Sequence, residues 1–288
     1  EGNPMTTAMA PNYDEYDWVV VNSSAGKDSQ VMLREIASHV ERQKIVVAHA
    51  DLGPMEWPGT RALARAQAEC FGVRFEAISR PQGNLLAHVA ARGKWPSSTR
   101  RYCTSDHKRG QMHKALTKIA HEIAAADPGT FRRSGSDRRE GVRAVRILTC
   151  IGFRAEESPG RAKAKVFSVD TRSTGKGKVK HVDIWLPIHD WTLDRVWEVI
   201  HSEGLPYHYA YDLGMPRLSC VFCIFAPKAA LMIAGANNRK LLDEYVELET
   251  EIDHTFKHGF SMKEIQEELD AGVEVPTIDP KDAGAWNM

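Results

Sequence analysis

A doubly wound, mostly parallel α/β sheet with a helical C-terminal region is the fold class that the sequence predicts. Three observations carry this expectation. Short β-branched runs alternate with helical periodicity between Trp18 and Ser79. The first two of these runs end in small or polar residues, as strands do where a sheet gives way to a loop and helix. After Cys223 the apolar spacing is helical throughout.

Residues 18–22 (Trp-Val-Val-Val-Asn) read as a buried strand and residues 23–28 as the turn that follows. Residues 30–42 place Val31, Leu33, Ile36, Ala37 and Val40 on one helix face. A second strand covers 45–50 and stops at Asp51-Leu52-Gly53, a helix over 60–71 stops before Gly72, and a third strand covers 73–79. This order implies parallel strands joined by right-handed crossovers. Helices are expected at 85–92 and 111–126, a strand at 145–152, and a Gly, Ser and Arg-rich loop at 128–141. The runs 166–169 and 182–185 flank a Gly/Lys loop at 173–180 and can pair as a hairpin. Thr192 is placed to cap a helix over 192–203 that Gly204 stops. Further helices fall at 228–236, 239–256 and 261–271. The expected organisation is one α/β domain over 14–228 with a helical extension over 229–288 packed on it.

The chain has 288 residues, 42% hydrophobic and 26% charged, which suits a globular protein. No apolar run reaches the roughly 18 residues of a membrane span, and no secretory signal is visible, so a cytoplasmic protein without membrane contact is expected. Formal net charge is zero, yet residues 132–180 hold 14 Lys and Arg against 5 Asp and Glu, while 229–288 hold 5 against 13. That asymmetry fits either a surface facing a polyanion or a solvated face with a loop.

Five cysteines do not read as a secreted disulfide framework. Cys150 ends an apolar strand and reads as core, and Cys70 beside Phe71 as structural. Cys220-Val221-Phe222-Cys223 is a CxxC, which supplies a low-pKa thiolate, half of a metal site, or a local disulfide.

Ser24-Ala25-Gly26-Lys27-Asp28-Ser29 lies between the first strand and the first helix. Small residues there let backbone N–H groups approach an anion, and the helix N-terminus favours negative charge. Ser24 and Ser29 can donate to phosphate oxygens and Lys27 can supply a point charge. Asp28 among phosphates calls for a divalent cation, so Mg²⁺ is expected beside it. Lys27 and Asp28 are expected in an exposed turn. The spacing is not that of the Walker loop.

Ser-x-Gly-Lys-Asp-Ser after a first strand resembles the signature of the PP-loop ATP pyrophosphatases, which cleave ATP between the α and β phosphates and adenylate a substrate oxygen. The chain resembles in particular their phosphoadenosine-phosphosulfate reductase-like branch. Asp51-Leu52-Gly53 with Glu56 and Pro58 is similar to the segment where adenosine sits in that branch. Arg101-Tyr102-Cys103-Thr104 with Lys108, and Gly152-Phe153-Arg154-Ala155-Glu156-Glu157-Ser158 with Arg161, resemble two further elements. Trp185-Leu186-Pro187-Ile188, Trp191-Thr192, Gly214, Arg217 and Cys220/Cys223 resemble the closing part of DndC-like and SspD-like DNA phosphorothioation proteins.

The resemblance implies ATP at Ser24, Gly26, Lys27, Asp28, Ser29, Asp51, Gly53 and Gly152, with Lys27, Asp28, Lys108, Arg154, Glu157 and Arg161 catalytic. Guanidinium forks at Arg154 and Arg161 can clamp phosphate, with Glu157 orienting one of them or helping hold Mg²⁺. Cys103, Cys220 and Cys223 form an expected sulfur relay or iron–sulfur site. The leading expectation is an ATP pyrophosphatase that activates a nucleic-acid oxygen, most simply a DNA backbone phosphate, for replacement by sulfur. Expected partners are DNA, a cysteine desulfurase or other sulfur donor, and further modification proteins. The alternatives are a sulfonucleotide reductase, disfavoured because no cysteine follows Cys223, and a non-catalytic nucleotide-binding subunit of a modification complex.

Overall fold

Alternation along the central strands decides how the sheet is covered. The computed structural model describes residues 10–131, 141–174 and 179–279. Arg132, Arg133, Arg138 and Arg139, and residues 175–178 of the Gly/Lys loop, lie outside the described residues. In β1 (Trp18–Ser23), Val19 and Val21 face one layer and Val20 the other. β2 (Ile45–Ala50) repeats the pattern, with Ile45 and Val47 against Val46 and Ala48. Two apolar faces need two covering layers. Val31, Leu33 and Ile36 of α1 (Lys27–Ala37), Ala68 of α2 (Thr60–Cys70), and Val196 and Ile200 of α7 (Leu193–Ser202) fill one. Leu116, Ile119 and Ala120 of α5 (Gly110–Ala126) fill the other.

The sheet has six strands in the order β3-β2-β1-β4-β6-β5. β3 (Arg74–Ile78), β2, β1, β4 (Val145–Cys150) and β6 (Lys180–Trp185) are parallel. β5 (Phe167–Val169) closes one edge as the antiparallel hairpin partner of β6, with Phe167 opposite Trp185. The chain runs outward from β1 to β2 and β3, then returns to β4 on the other side of β1. The crevice between the C-terminal ends of β1 and β4 is therefore a topological switch point, where ligands bind in open α/β sheets.

A third apolar cluster lies beyond the sheet and joins α3 (Leu85–Arg92) to α8 (Lys228–Asn237), α9 (Arg239–Glu251) and α10 (Met262–Asp270). Trp95 stacks on Tyr245 at 5.0 Å between ring centroids, and Phe222 and Phe256 meet the same Tyr245 edge-on. The C-terminal helices thus share this cluster with Ala25 and Leu52, which flank the strand ends. Between the layers, α4 (Tyr102–Thr104) runs through a π-helical turn, Ser105–Arg109, into α5, and α6 (Pro159–Ala162) follows β4.

Several boundaries differ from expectation. α1 starts at Lys27, three residues before the expected start at Gln30, because Lys27, Asp28 and Ser29 form a polar first turn. β4 ends at Cys150 and α9 at Glu251, both short of the predicted limits. Cys70 is exposed at the end of α2, so it is not a core residue, whereas Cys150 is buried.

Candidate active site

The phosphate loop is built by a backbone that only small residues permit. Ala25 adopts φ 59°, in the left-handed region, and its N–H donates to Ser23 Oγ at 3.0 Å. Gln67 of α2, fully buried, donates to the Ala25 carbonyl at 3.2 Å and holds the turn from below. A Cβ on Gly26 would lie 3.1 Å from Tyr211 Oη and 3.3 Å from Ser24 Oγ. Gly152 closes the crevice from β4, where a Cβ would come within 3.2 Å of the Asp28 carbonyl oxygen. Asn22 Nδ2 ties the ends of β1 and β4 together by donating to the Cys150 carbonyl at 3.1 Å.

Lys27 is not in an exposed turn. It is 3% exposed, with Nζ 3.1 Å from the Pro216 carbonyl, 3.5 Å from Asp28 Oδ2 and 5.2 Å from the Tyr211 ring centroid. The helix draws it inward because the first turn of α1 packs under the segment after Tyr211. Arg154 donates from Nε to Asp28 Oδ1 at 2.6 Å and from a terminal nitrogen to Glu156 at 2.6 Å. Burial pushes the Asp28 carboxyl upward, but Lys27 and Arg154 outweigh it and hold the group below the usual carboxylate range. Lys27 and Arg154 are thus the protein's own countercharges to Asp28. Glu157 accepts the Arg154 N–H at 3.0 Å and pairs with Arg161, which stacks on Phe153 at 4.4 Å. Burial lowers the Arg161 guanidinium from its ordinary value, and neighbouring Arg217 adds to this. Lys27, Arg154 and Arg161 therefore line the crevice in a network with Asp28, Glu156 and Glu157, and Ser24 stands exposed at its rim while Ser29 Oγ turns back to the Gly26 carbonyl at 2.9 Å.

The second group of residues converges beside the first. The ammonium of Lys108, on the π-helical turn, is stabilised by Cys220, against its burial, and further by Cys223, Glu56 and Cys103. Burial pushes the Cys103 and Cys220 thiols up, Cys220 raises Cys103 further, and Lys108 opposes the shift at both. All three thiols are free, so the CxxC does not close a disulfide, and all three pack against the same apolar cluster. Lys108 lies with the thiols rather than in the ion-pair network of Asp28. Asp51 accepts from Gly53 N–H at 2.8 Å and from Arg61 at 3.0 Å.

One segment joins the two groups. Tyr211 Oη accepts from Lys27 N–H at 3.0 Å and from Leu218 N–H at 3.3 Å, and Pro216 receives the Lys27 ammonium. Cys220 follows within the same stretch and pairs by backbone with Glu56, while Val221 N–H donates to the Met55 carbonyl at 2.9 Å. Sequence reasoning missed Tyr211, Pro216 and Gln67, which carry no local signal. It also missed His49, a polar residue inside an otherwise apolar strand, which was legible. A cleft of about 670 Å³ opens alongside, between the Asp51–Arg61 segment and the α8–α9 junction at Asn237 and Asn238.

A small-residue loop at the switch point of a parallel sheet, ringed by basic side chains, defines an α/β nucleotide-binding domain. A sequence profile for the phosphoadenosine phosphosulfate reductase domain matches residues 18–226, and the chain belongs to that family. An uncharacterized 37.8 kDa protein of Escherichia phage 186 is 24% identical over 155 residues, 54% of this chain and 39% of the relative. The adenosine 5′-phosphosulfate reductase of Oceanobacillus iheyensis is 36% identical over 72 residues, 25% of this chain and 27% of the relative. The chain thus matches well under half the length of either relative. Among solved structures, the phosphoadenylyl-sulfate reductase of Candida auris, a phosphate complex, aligns with a TM-score of 0.45 at 16% identity, covering 75% of this chain and 84% of that one. The U34-tRNA thiolase of Methanococcus maripaludis, solved with its 4Fe–4S cluster, aligns with a TM-score of 0.37 at 15% identity, covering 90% and 75%. Among the described residues no helix is long and apolar enough to cross a membrane.

Proposed function

We propose that the protein cleaves ATP to AMP and pyrophosphate, using the energy to activate a nucleic-acid oxygen for replacement by sulfur. One observation supports this reading above the others. The segment that contacts Lys27 through Tyr211 and Pro216 also carries Cys220 and Cys223, so anion-binding and sulfur chemistry share one sheet edge.

Lys27, Arg154 and Arg161 hold the triphosphate, and their charge stabilises the pyrophosphate as it leaves. A substrate oxygen attacks the α phosphorus, the bond to the bridging α–β oxygen breaks, and the substrate is left as its adenylate. A sulfur nucleophile then displaces AMP. Where that nucleophile is a persulfide, a second thiol has to cleave the S–S bond, and three neighbouring thiols provide one. Cys103, Cys220 and Cys223 also suit an iron–sulfur cluster with an open iron, because each is free and each acts electrostatically on Lys108. Such a cluster would supply a site for inorganic sulfur. Thiols raised by burial are poor nucleophiles until a metal or Lys108 favours their ionised form. The basic run at 132–180 suits a polyanion, and DNA is the substrate proposed, with a cysteine desulfurase or equivalent as donor.

The test is product analysis with labelled ATP, with and without duplex DNA. AMP and pyrophosphate in equal amounts, increased by DNA, are expected. ADP and phosphate, or no turnover under any condition, would overturn the proposal. The adenosine 5′-phosphosulfate reductase relative motivates the second arm: sulfite released from adenosine 5′-phosphosulfate with a dithiol reductant would assign reduction instead.

A further inference from the structure

His49 is fully buried in a strand whose other residues are Ile, Val and Ala. Its Nδ1 lies 3.0 Å from the Ser23 carbonyl oxygen, which only accepts, so Nδ1 carries hydrogen. In the neutral ring Nε2 then presents a lone pair. What faces it, at 3.1 Å, is a carboxylate oxygen of Glu56, a second acceptor. Two acceptors at that distance in a buried setting repel each other unless something positive sits with them. A proton is one candidate and a metal ion the other. The position of Asp51 favours the ion: one ligand atom from each of His49, Asp51 and Glu56 lies within 4.8 Å of the other two. Glu56 and Asp51 also favour an imidazolium at His49 by their charge, but three ligand atoms gathered at one point is the arrangement an ion uses.

We propose that His49, Asp51 and Glu56 bind one divalent cation of the Mn²⁺ type at the C-terminal end of β2, between the phosphate loop and the thiols. Two ligands each about 2.1 Å from one ion and at right angles to it are about 3.0 Å apart, which matches the His49–Glu56 separation. The Ser23 carbonyl is the outer partner that fixes the ring, as metal-bound imidazoles require. Asp51 and Glu56 both line the cleft of about 670 Å³, which gives the ion an entry path and leaves open positions for water or a phosphate oxygen. Asp51 is paired now with Arg61, whose side chain is 57% exposed and free to swing into solvent as an ion arrives. Lys108 also faces Glu56 and competes with the ion. One imidazole with two carboxylates suits Mn²⁺, whereas the neighbouring thiols select softer metals such as zinc. Mn²⁺ therefore reads this site and not the cysteines.

The site is distinct from the expected Mg²⁺ at Asp28 and does not rest on the sulfur-transfer reading. Its test uses the whole protein, stripped with a chelator, without nucleotide, DNA or sulfur donor. Mn²⁺ is titrated in and the free ion followed by electron paramagnetic resonance. One Mn²⁺ per chain is expected, with affinity lowered roughly 10–100-fold by Glu56→Gln or His49→Gln and retained in Asp28→Asn and Cys220→Ser. His49→Gln changes a fully buried side chain and could unfold the protein. Glu56→Gln, at a partly exposed carboxylate, keeps the test decisive, with circular dichroism confirming its fold. No binding by the parent protein, or binding that Glu56→Gln leaves unchanged, shows that a proton fills the gap and overturns the proposal.

Discussion

Arg154 reaches several partners with one guanidinium, and Asp28 depends on it most. Removing Arg154 leaves a largely buried carboxylate with Lys27 and, more weakly, Arg161 as its remaining cations, so Arg154→Met is expected to destabilise the fold by about 3 kcal/mol. Pairing it with Asp28→Asn removes the orphaned charge. The double variant should regain most of the stability in urea titrations while the proposed pyrophosphate release stays lost, separating the structural role from the proposed catalytic one. His107 supplies a pH signature. Burial, with Arg80 and His88 adding, lowers its pKa to about 4. A base depressed in the folded state contributes stability that is complete above its unfolded value of about 6.5 and is lost as pH falls toward 4, because the unfolded chain takes up the proton first. The slope in that window is at most one proton, about 1.4 kcal/mol per pH unit, and urea titrations between pH 7.5 and 4.5 should show it flatten in His107→Gln.

At the scale of elements, the meeting of β1, α1 and β4 is the tightest constraint. Gly152→Ala would press a methyl group against the Asp28 carbonyl and Ser29 N, both backbone atoms of a helix start. The expected result is a loss of about 1–3 kcal/mol in thermal or urea unfolding and a large fall in ATP turnover, because α1 must shift away from the crevice. Much of this geometry was legible in the sequence. β-branched runs at 18–22 and 45–50 gave their strands, since period-two burial on two faces leaves a near-continuous apolar record. The start of α1 was not legible, because Lys27, Asp28 and Ser29 have no apolar period and are held in the helix by tertiary contacts. Tyr211 belonged to the same blind spot. A hydroxyl that accepts N–H groups from Lys27 and Leu218 is defined by the folded chain alone. Motif order led to Cys103, Cys220 and Cys223 being expected together, but the π-helical turn that carries Lys108 toward them leaves no sequence trace.

For the whole molecule, charge segregation is the property with the clearest consequence. Basic residues concentrate at 132–180 and acidic ones at 229–288 while the sum is zero. Replacing Arg132, Arg133, Arg138 and Arg139 with Ala should weaken DNA binding at all sequences alike. The slope of log affinity against log salt should fall by about 0.9 for each phosphate contact removed. A slope unchanged within error would mark the stretch as a solvated face.

The pairing of β1 with β4 sets the order in which the molecule can be made. Trp18 lies opposite Ile147, so the central ladder joins parts of the chain that leave the ribosome far apart in time. β1, β2 and β3 with α1 and α2 can form a local unit early, but one wall of the phosphate crevice is missing until β4 docks. Until then Val19, Val20 and Val21 present an unpaired parallel edge, and closing the long intervening loop slows its cover. In refolding from urea, the far-UV signal should recover ahead of binding of a fluorescent ATP analogue, and the yield should drop as protein concentration rises. Simultaneous recovery of both signals would show that β4 docks as early as its neighbours. Nucleotide added during the lag would find no complete site to occupy, so it should speed neither phase and should stabilise only the finished sheet.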